Sequence, residues 1–390
     1  MNEMIIKANT PFLPKESAYQ EERLDVLNNH FLNMIEKKEI ISGSYCLSRN
    51  NKVFADVSMG NLSYDEKDDR KFNPDTIFRI ASITKLFTAV AILKLVEDGK
   101  MRLDQCVGEL IEEFNTPPFD KINIVHMLTH TSGIIADGGA YPNKYYEGWW
   151  KSVEDGQTNK WIEAVLKKGL RTPPGKEWSY STVAYMILGE IITRVSGEFC
   201  HDYIEKYIIE PCEMTETYFG MKLKFTERYN IRTSWAVKDI EKLKSWEKEG
   251  QGVWDKIPST GGGIYSTCRD LSKFGTMILN NGTYNGKRII GRKALEAMGR
   301  IHISPEVKSY CWGAGGIFRP HGLGPDVFIE TNESMLLTPG CIGHEGAGTC
   351  AIMIDRKENF VAVWTAQFHD EEWYAHALRN VASIMWSGLE

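Results

Sequence analysis

Apolar side chains recur at helical spacing between Ser17 and about Glu39. Leu24, Leu27, Phe31, Met34 and Ile35 share one face, with Ser17 placed to cap and Glu21 and Glu22 in the first turns. This predicts an amphipathic helix. The pattern then changes to two β-prone runs, SYCLSR (44–49) and KVFADVSM (52–59). They are separated by Asn50-Asn51, a pair that tolerates the positive φ of a tight turn, so an antiparallel hairpin is expected. From about residue 81 to 250 helix-period segments dominate, at 82–98, 122–130, 159–168, 182–196 and 201–209, and strand signals nearly vanish. After GGGIYS (261–266) another helix is expected at 269–280. Hairpin-like runs return at 310–318, 349–355 and 360–366, and a closing helix falls near 371–387.

Strands at both ends therefore bracket a helical middle. The expected fold class is α/β of the α+β kind, an antiparallel sheet flanked by terminal helices plus a mostly helical inserted domain. The boundaries are placed at 1–80 with 258–390 for the discontinuous sheet domain and at 81–257 for the helical one, with the active site in the cleft between them. The segment from Asp137 to Lys160 carries Tyr141, Tyr145, Tyr146, Trp149 and Trp150 among glycines, and reads either as a packed surface loop or as an aromatic wall of a pocket. KDIEKLKSWEKEG (238–250) reads as a solvated, charge-laced helix.

Composition narrows the classes of function. The chain has 390 residues, enough for two packed domains and a sizeable core, and its 42% hydrophobic and 25% charged residues describe an ordinary globular protein. A formal charge of -6, from 52 acidic and 46 basic residues spread along the chain, argues against nucleic acid or an anionic membrane as partner. A small molecule or peptide fits better. The N-terminus has Glu3 and only three apolar residues before Lys7, which is no secretory signal, and no apolar run reaches bilayer length, so a cytoplasmic chain without a membrane span is expected. Eight scattered cysteines without a Cys-x-x-Cys pair indicate reduced thiols, with no disulfide framework and no metal or other cofactor site.

Ser-x-x-Lys is a weak pattern, and a chain of this length holds it by chance; here it occurs twice. Ser245-Trp-Glu-Lys248 lies in the charged segment. Ser82-Ile-Thr-Lys85 opens an Ala- and Leu-rich helix, where a spacing of three puts both side chains on one face within reach of a shared proton. Serine needs such a partner, and lysine serves as a base only when desolvation or nearby positive charge disfavours its ammonium form. The run LFTAVAILKLV predicts a buried helix, and the positive end of its dipole lies at Ser82 and Lys85. A second element, PPGKEWSYSTVAYMILGEIITRVSG (173–197), delivers Tyr180 to a helix entrance, where a phenol can become phenolate-like and serve as base and then acid. A third, IGHEGAGTCAIMIDRKENFVAVWTA (342–366), is a Gly-rich approach to a strand and reads as a site edge. A backbone N–H there, with that of Ser82, suits an oxyanion hole.

These residues bring a family into view. SITK, YST after a Pro-Gly turn, and HEG leading a strand occur in the order of the Ser-x-x-Lys, Tyr-x-Asn and Lys-Thr-Gly boxes of class C β-lactamases. MLTHTSGI (127–134), GGGIYSTCRDLSKFGTMILNNGTYNGKRII (261–290) and GHEGAGTCAIMID (343–355) also resemble the wider family of class C-like esterases, D-peptidases, transacylases and penicillin-binding proteins. The likeness covers about residues 42 to 366. It implies the β-lactamase/transpeptidase-like fold, Ser82 as nucleophile, Lys85 as its activator and Tyr180 as acid/base. It also implies the N–H groups of Ser82 and Ala347 as oxyanion donors, with Gly346 and His344 lining the site. Two departures matter. Thr182 stands where the second box has asparagine, which weakens recognition of acylamido groups, and His344 replaces a permanent cation that would attract a carboxylate.

The expected activity is therefore that of a serine hydrolase acting on a small-molecule ester, amide or β-lactam, with esters favoured. An acyltransferase of the same family, or a penicillin-binding sensor that acylates without deacylating, are the alternatives. His126 and His130 are four apart, but Met127 stands where a zinc protease needs glutamate, so both read as structural. There is no Gly-x-Ser-x-Gly elbow and no phosphate-cradling loop. Ser132, in an exposed-looking HTSG turn, has no lysine near it in sequence.

Overall fold

A computed structural model describes residues 4–137, 160–249, 256–330, 335–368 and 375–390. Seven strands form its main sheet: β1 (Ile5–Lys7), β2 (Ile40–Arg49), β3 (Lys52–Gly60), β4 (Asp326–Val327), β5 (Ile342–Gly346), β6 (Cys350–Asp355) and β7 (Phe360–Phe368). They lie in the order β1-β3-β2-β7-β6-β5-β4, with every neighbouring pair antiparallel. The strands come from the two ends of the chain and meet where β2 pairs β7. Asn50 and Asn51 take φ of 52° and 64°, so the β2–β3 turn is the tight kind their side chains tolerate.

The central strands β2, β6 and β7 are almost wholly buried, because each face of the sheet is covered by helices. Period-two alternation divides the side chains between two cores. Tyr45, Leu47, Met353 and Trp364 face α1 (Glu22–Glu36) and α5 (Val381–Trp386), where Phe31 and Met385 also pack. Cys46, Ile352, Ile354 and Val363 belong to the other core, with α2 (Thr84–Glu97), α3 (Thr182–Ser196) and α4 (Cys268–Leu279). That second core is continuous: the Phe87 and Phe274 rings stack at 4.0 Å between α2 and α4, and α2 is apolar nearly all round. Among the described residues no helix is long and apolar enough to cross a membrane.

Several sequence expectations shift. The first helix starts at Glu22, not at Ser17, which is buried in a preceding 3-10 turn, and Glu21 takes the capping position without a side-chain bond. The segment 122–130 makes only Ile124–Leu128 helical, because Asn123 caps it and His130 turns to a φ of 57°. Short strands do occur in the helical middle, at Glu177–Trp178 and Tyr218–Phe219, too brief to leave a periodic signal. Residues 310–318 form no long hairpin: two-residue strands Lys308–Ser309 and Ile317–Phe318 pair around a loop. The 238–250 segment is helical within Ser234–Glu249, but Ile240 packs beneath it, so one side is not solvated. The aromatic stretch from Tyr141 to Trp150 lies outside the described residues. So do the first residues of the closing helix, which is described from Ala375.

The minor strands matter because they hold the candidate site. Phe78–Arg79 pairs with Ile264–Ser266, and the Ile80 N–H donates to the Ile264 carbonyl at 3.0 Å. Thr88 in α2 donates to the Thr260 carbonyl at 2.7 Å, so the segment 260–264 is strapped across the start of α2. Lys308–Ser309 runs parallel to Glu177–Trp178, seating the 308–318 loop against the residues that lead into α3.

The sheet and α1 meet so closely at Gly43 that a Cβ there would lie 2.3 Å from Phe31 Cδ1. Gly43→Ala is expected to cost about 1–3 kcal/mol through overpacking, read as a lower urea midpoint at unchanged slope; an unaltered midpoint would contradict this packing.

Candidate active site

Ser82 sits at a forced bend. The strand Phe78–Arg79 is pinned by its partner, and the chain must then turn sharply into α2. Ala81 does so at a φ of 46°, a left-handed conformation that costs a non-glycine residue about a kcal/mol or more. Ser82 follows within one 3-10 turn, Ala81–Ile83, and is partly exposed while its neighbours are buried.

One turn later Lys85 is fully buried, and its ammonium has three acceptors for three protons. Nζ lies 3.1 Å from Ser82 Oγ, 3.2 Å from Thr182 Oγ1 and 2.7 Å from the Gly261 carbonyl. Burial pulls its pKa down to about 8; Asp137 opposes that shift and Arg79 adds to it. The side chain therefore lies close to the boundary between its two protonation states near neutral pH.

Tyr180 lies against this pair. Its ring centroid is 4.8 Å from Lys85 Nζ, and its phenol interacts with the Ser82 hydroxyl. The expectation of a phenolate-like Tyr180 is overturned. Burial raises its pKa well above the usual value, and the Asp137 carboxylate raises it further, against the opposing Ser82 hydrogen bond. The positive end of α3 does not reach it effectively, because Asp137 occupies that end. Asp137 accepts from the Thr182 N–H at 2.6 Å and from Thr182 Oγ1 at 2.7 Å, and its own N–H donates to the Tyr180 carbonyl at 2.8 Å. Thr182 thus turns its hydroxyl inward, between Lys85 and Asp137. Ser181 caps α3 by accepting from the Ala184 N–H at 3.1 Å.

The third box arrives on β5. Gly346 is required there by close approach, since a Cβ would fall 2.3 Å from the Ile80 carbonyl oxygen, two residues before Ser82. Ala347 is exposed, first in the turn to β6. His344 is buried, with its ring 6.3 Å from that of Tyr180. Its Nδ1 lies 2.6 Å from the Glu345 carbonyl, which can only accept, so Nδ1 carries the proton. Burial drives its pKa down to about 3, with Asp326 opposing and Lys85 reinforcing the shift. The imidazole is neutral across the physiological range.

Other neighbours carried no sequence signal for this role. Asp137 was legible only as the edge of a loop, and the Gly261 carbonyl only as part of a glycine triplet. Gly261 itself must be small, because a Cβ would lie 2.5 Å from Thr182 Cγ2. His130 and His126 serve different neighbours. His130 accepts the Ser181 N–H on Nδ1 at 3.1 Å and packs 4.4 Å from the Tyr180 ring, while His126 accepts the Asn123 N–H at 3.2 Å in a capping box. Ser132 is buried, contrary to its exposed-looking turn. Ser245 is engaged elsewhere: its hydroxyl donates to the Lys242 carbonyl of its own helix at 2.8 Å.

Comparison with known proteins bears on the family and the fold. A family model described as Beta-lactamase matches residues 27–384. A Salmonella agona protein named "Putative D-alanyl-D-alanine carboxypeptidase" is 29% identical over 298 residues, 70% of this chain and 65% of that protein's length. The match thus spans just under two thirds of this relative. In structure the chain is similar to a penicillin-binding protein homologue from Caulobacter crescentus, with a TM-score of 0.73 and 18% identity over 98% of this chain and all of that one. It is also similar to a family VIII carboxylesterase, with a TM-score of 0.71 and 18% identity over 93% and 98% of the two chains. At these identities the structural likeness speaks for the fold.

The Asp137 carboxylate favours the charged form of Lys85. Asp137→Asn removes that charge, so the Lys85 pKa is expected to fall. The pH midpoint for labelling of Ser82 by a fluorophosphonate would move down with it; a midpoint that stays or rises would contradict the coupling.

Proposed function

The chain belongs to the Beta-lactamase family of serine hydrolases, and from that premise we propose that it cleaves small esters through an acyl-Ser82 intermediate. The observation that carries this reading is the 3.1 Å contact between Ser82 Oγ and a buried Lys85 whose pKa is depressed to about 8. Neutral Lys85 takes the Ser82 proton as Oγ attacks the carbonyl carbon. Tyr180, held as a phenol, gives its proton to the departing oxygen and regains one from the Lys85 ammonium. Water then repeats the sequence in reverse to release the acid. The N–H groups of Ser82 and Ala347 are assigned to the oxyanion, where the loss of one donor typically costs roughly 10²–10³-fold in rate. Gly346 lets the substrate lie along the β5 edge, and Thr182 acts here by orienting Lys85.

Ester cleavage is favoured over D-peptide or β-lactam turnover because of His344. Both of those substrate types present a carboxylate, and the third-box position here offers a neutral imidazole with a pKa of about 3 in place of an ammonium. We also propose the division of the chain into 1–80 with 258–390 and 81–257, with substrate entering along the seam.

Ser82→Ala is expected to abolish hydrolysis of a small chromogenic ester, a loss on the order of 10⁴-fold or more. Retained turnover would remove the proposal. Because the neutral amine is the active form, acylation should rise with pH, about tenfold per unit below the Lys85 pKa, and level off above about 8. A profile that falls over this range would exclude Lys85 as the base. Side-by-side kcat/KM values for an ester, a β-lactam and a D-alanyl peptide should rank the ester first.

A further inference from the structure

Three of the eight most exposed large apolar side chains among the described residues, Tyr310, Trp312 and Ile317, lie within one loop. That loop, 308–318, is fastened to the segment carrying Tyr180 through the parallel pairing of Lys308–Ser309 with Glu177–Trp178. Trp312 is 53% exposed, yet its ring lies 5.5 Å from that of Tyr180 and 6.1 Å from that of Trp178. Its backbone is left-handed, with a φ of 55°, a costly state for a bulky residue that surrounding structure must hold in place. Arg319 supplies that hold. Its guanidinium stacks 4.6 Å from the Trp178 ring and 5.4 Å from the Trp312 ring, and both arms of its fork bind Asp326, at 3.0 and 2.9 Å. An indole held at a backbone cost, half exposed to solvent and close to Tyr180, offers apolar surface to a flat group bound beside that phenol. Arg319 offers no net charge to a substrate there, since the Asp326 carboxylate neutralises it.

Position decides which part of a substrate meets this platform. The acyl carbonyl is placed against Ser82 and the β5 edge, whereas Tyr180 serves the departing oxygen. We propose that Trp312 forms the subsite for the alcohol portion of the ester, and that this subsite selects neutral aromatic alcohols. The assignment rests on the acyl-Ser82 reading. In acylation the bond from the carbonyl carbon to the alcohol oxygen breaks as the bond to Ser82 Oγ forms. The Oγ proton passes to Lys85, Tyr180 delivers one to the alcohol oxygen, and Lys85 returns one to Tyr180. The products are the acyl-enzyme and a neutral alcohol resting against Trp312.

Methyl butyrate and benzyl butyrate share an acyl group and release alcohols of near-equal acidity, so the ratio of their kcat/KM values reports the subsite and is independent of the fraction of active enzyme. The unaltered protein should prefer the benzyl ester. In Trp312→Ala the benzyl-to-methyl ratio should fall about tenfold, the scale of a lost aromatic contact with its buried area, and Trp312→Phe should keep most of the preference. Equal turnover of the two esters by the unaltered protein, or an equal loss for both in Trp312→Ala, would overturn the assignment while leaving acyl-Ser82 chemistry standing. If mass spectrometry detects no butyryl adduct on Ser82 and neither ester is cleaved, the acyl-Ser82 reading fails and the subsite fails with it.

Discussion

Everything at the centre of this protein depends on keeping an ammonium-bearing side chain out of water. Lys85 is wholly buried, and a buried cation without partners would cost several kcal/mol. The fold meets that constraint with three acceptors from three separate stretches of chain: Ser82 one turn away, Thr182 at the start of α3, and the carbonyl of Gly261. All three N–H groups are satisfied, yet desolvation still brings the pKa down to about 8. The same burial that threatens the fold thus sets the protonation equilibrium on which the proposed acylation relies.

Holding those acceptors in place explains much of the local backbone. Gly261 and Gly346 are small because other backbone or a threonine methyl lies where a Cβ would be. Ala81, His130 and Trp312 each adopt positive φ within reach of the same constellation, although none is a glycine. Non-glycine residues in this region cluster where the surroundings over-determine them. Here the surroundings are the short strand pairs at Phe78–Arg79 and Lys308–Ser309 and the apolar core that α2 shares with α3 and α4.

Electrostatics also separates the roles of Lys85 and Tyr180. Both are buried, but burial disfavours a cation in one and an anion in the other, so the lysine moves toward neutrality and the tyrosine away from ionisation. Asp137, at the head of α3, raises both pKa values, so it reinforces the shift of Tyr180 and opposes that of Lys85. A base and an acid of matched reach are the consequence in the proposed mechanism, with a neutral His344 beside them on β5.

Local pattern was enough for the features that depend on near neighbours in the chain. The Asn50-Asn51 hairpin, the buried helix after Ser82, the α3 helix from Thr182 to Ser196 and the one-turn spacing of Ser82 and Lys85 all follow from short-range periodicity and turn chemistry. Two-residue strands escaped because they span a single strand period and show no repeat. Asp137 and the Gly261 carbonyl escaped because a charge relation or a backbone acceptor depends on what faces it across space, and nothing in the flanking residues encodes that. The ionisation of Tyr180 was misread for the same reason: a helix N-terminus is visible along the chain, whereas the carboxylate that occupies it and the burial around the phenol come only with tertiary packing. The sequence by itself determined which side chains carry reactive groups and where the longer helices and strands run. Only the tertiary structure decided which of those groups are desolvated and paired, and hence which proton each one holds.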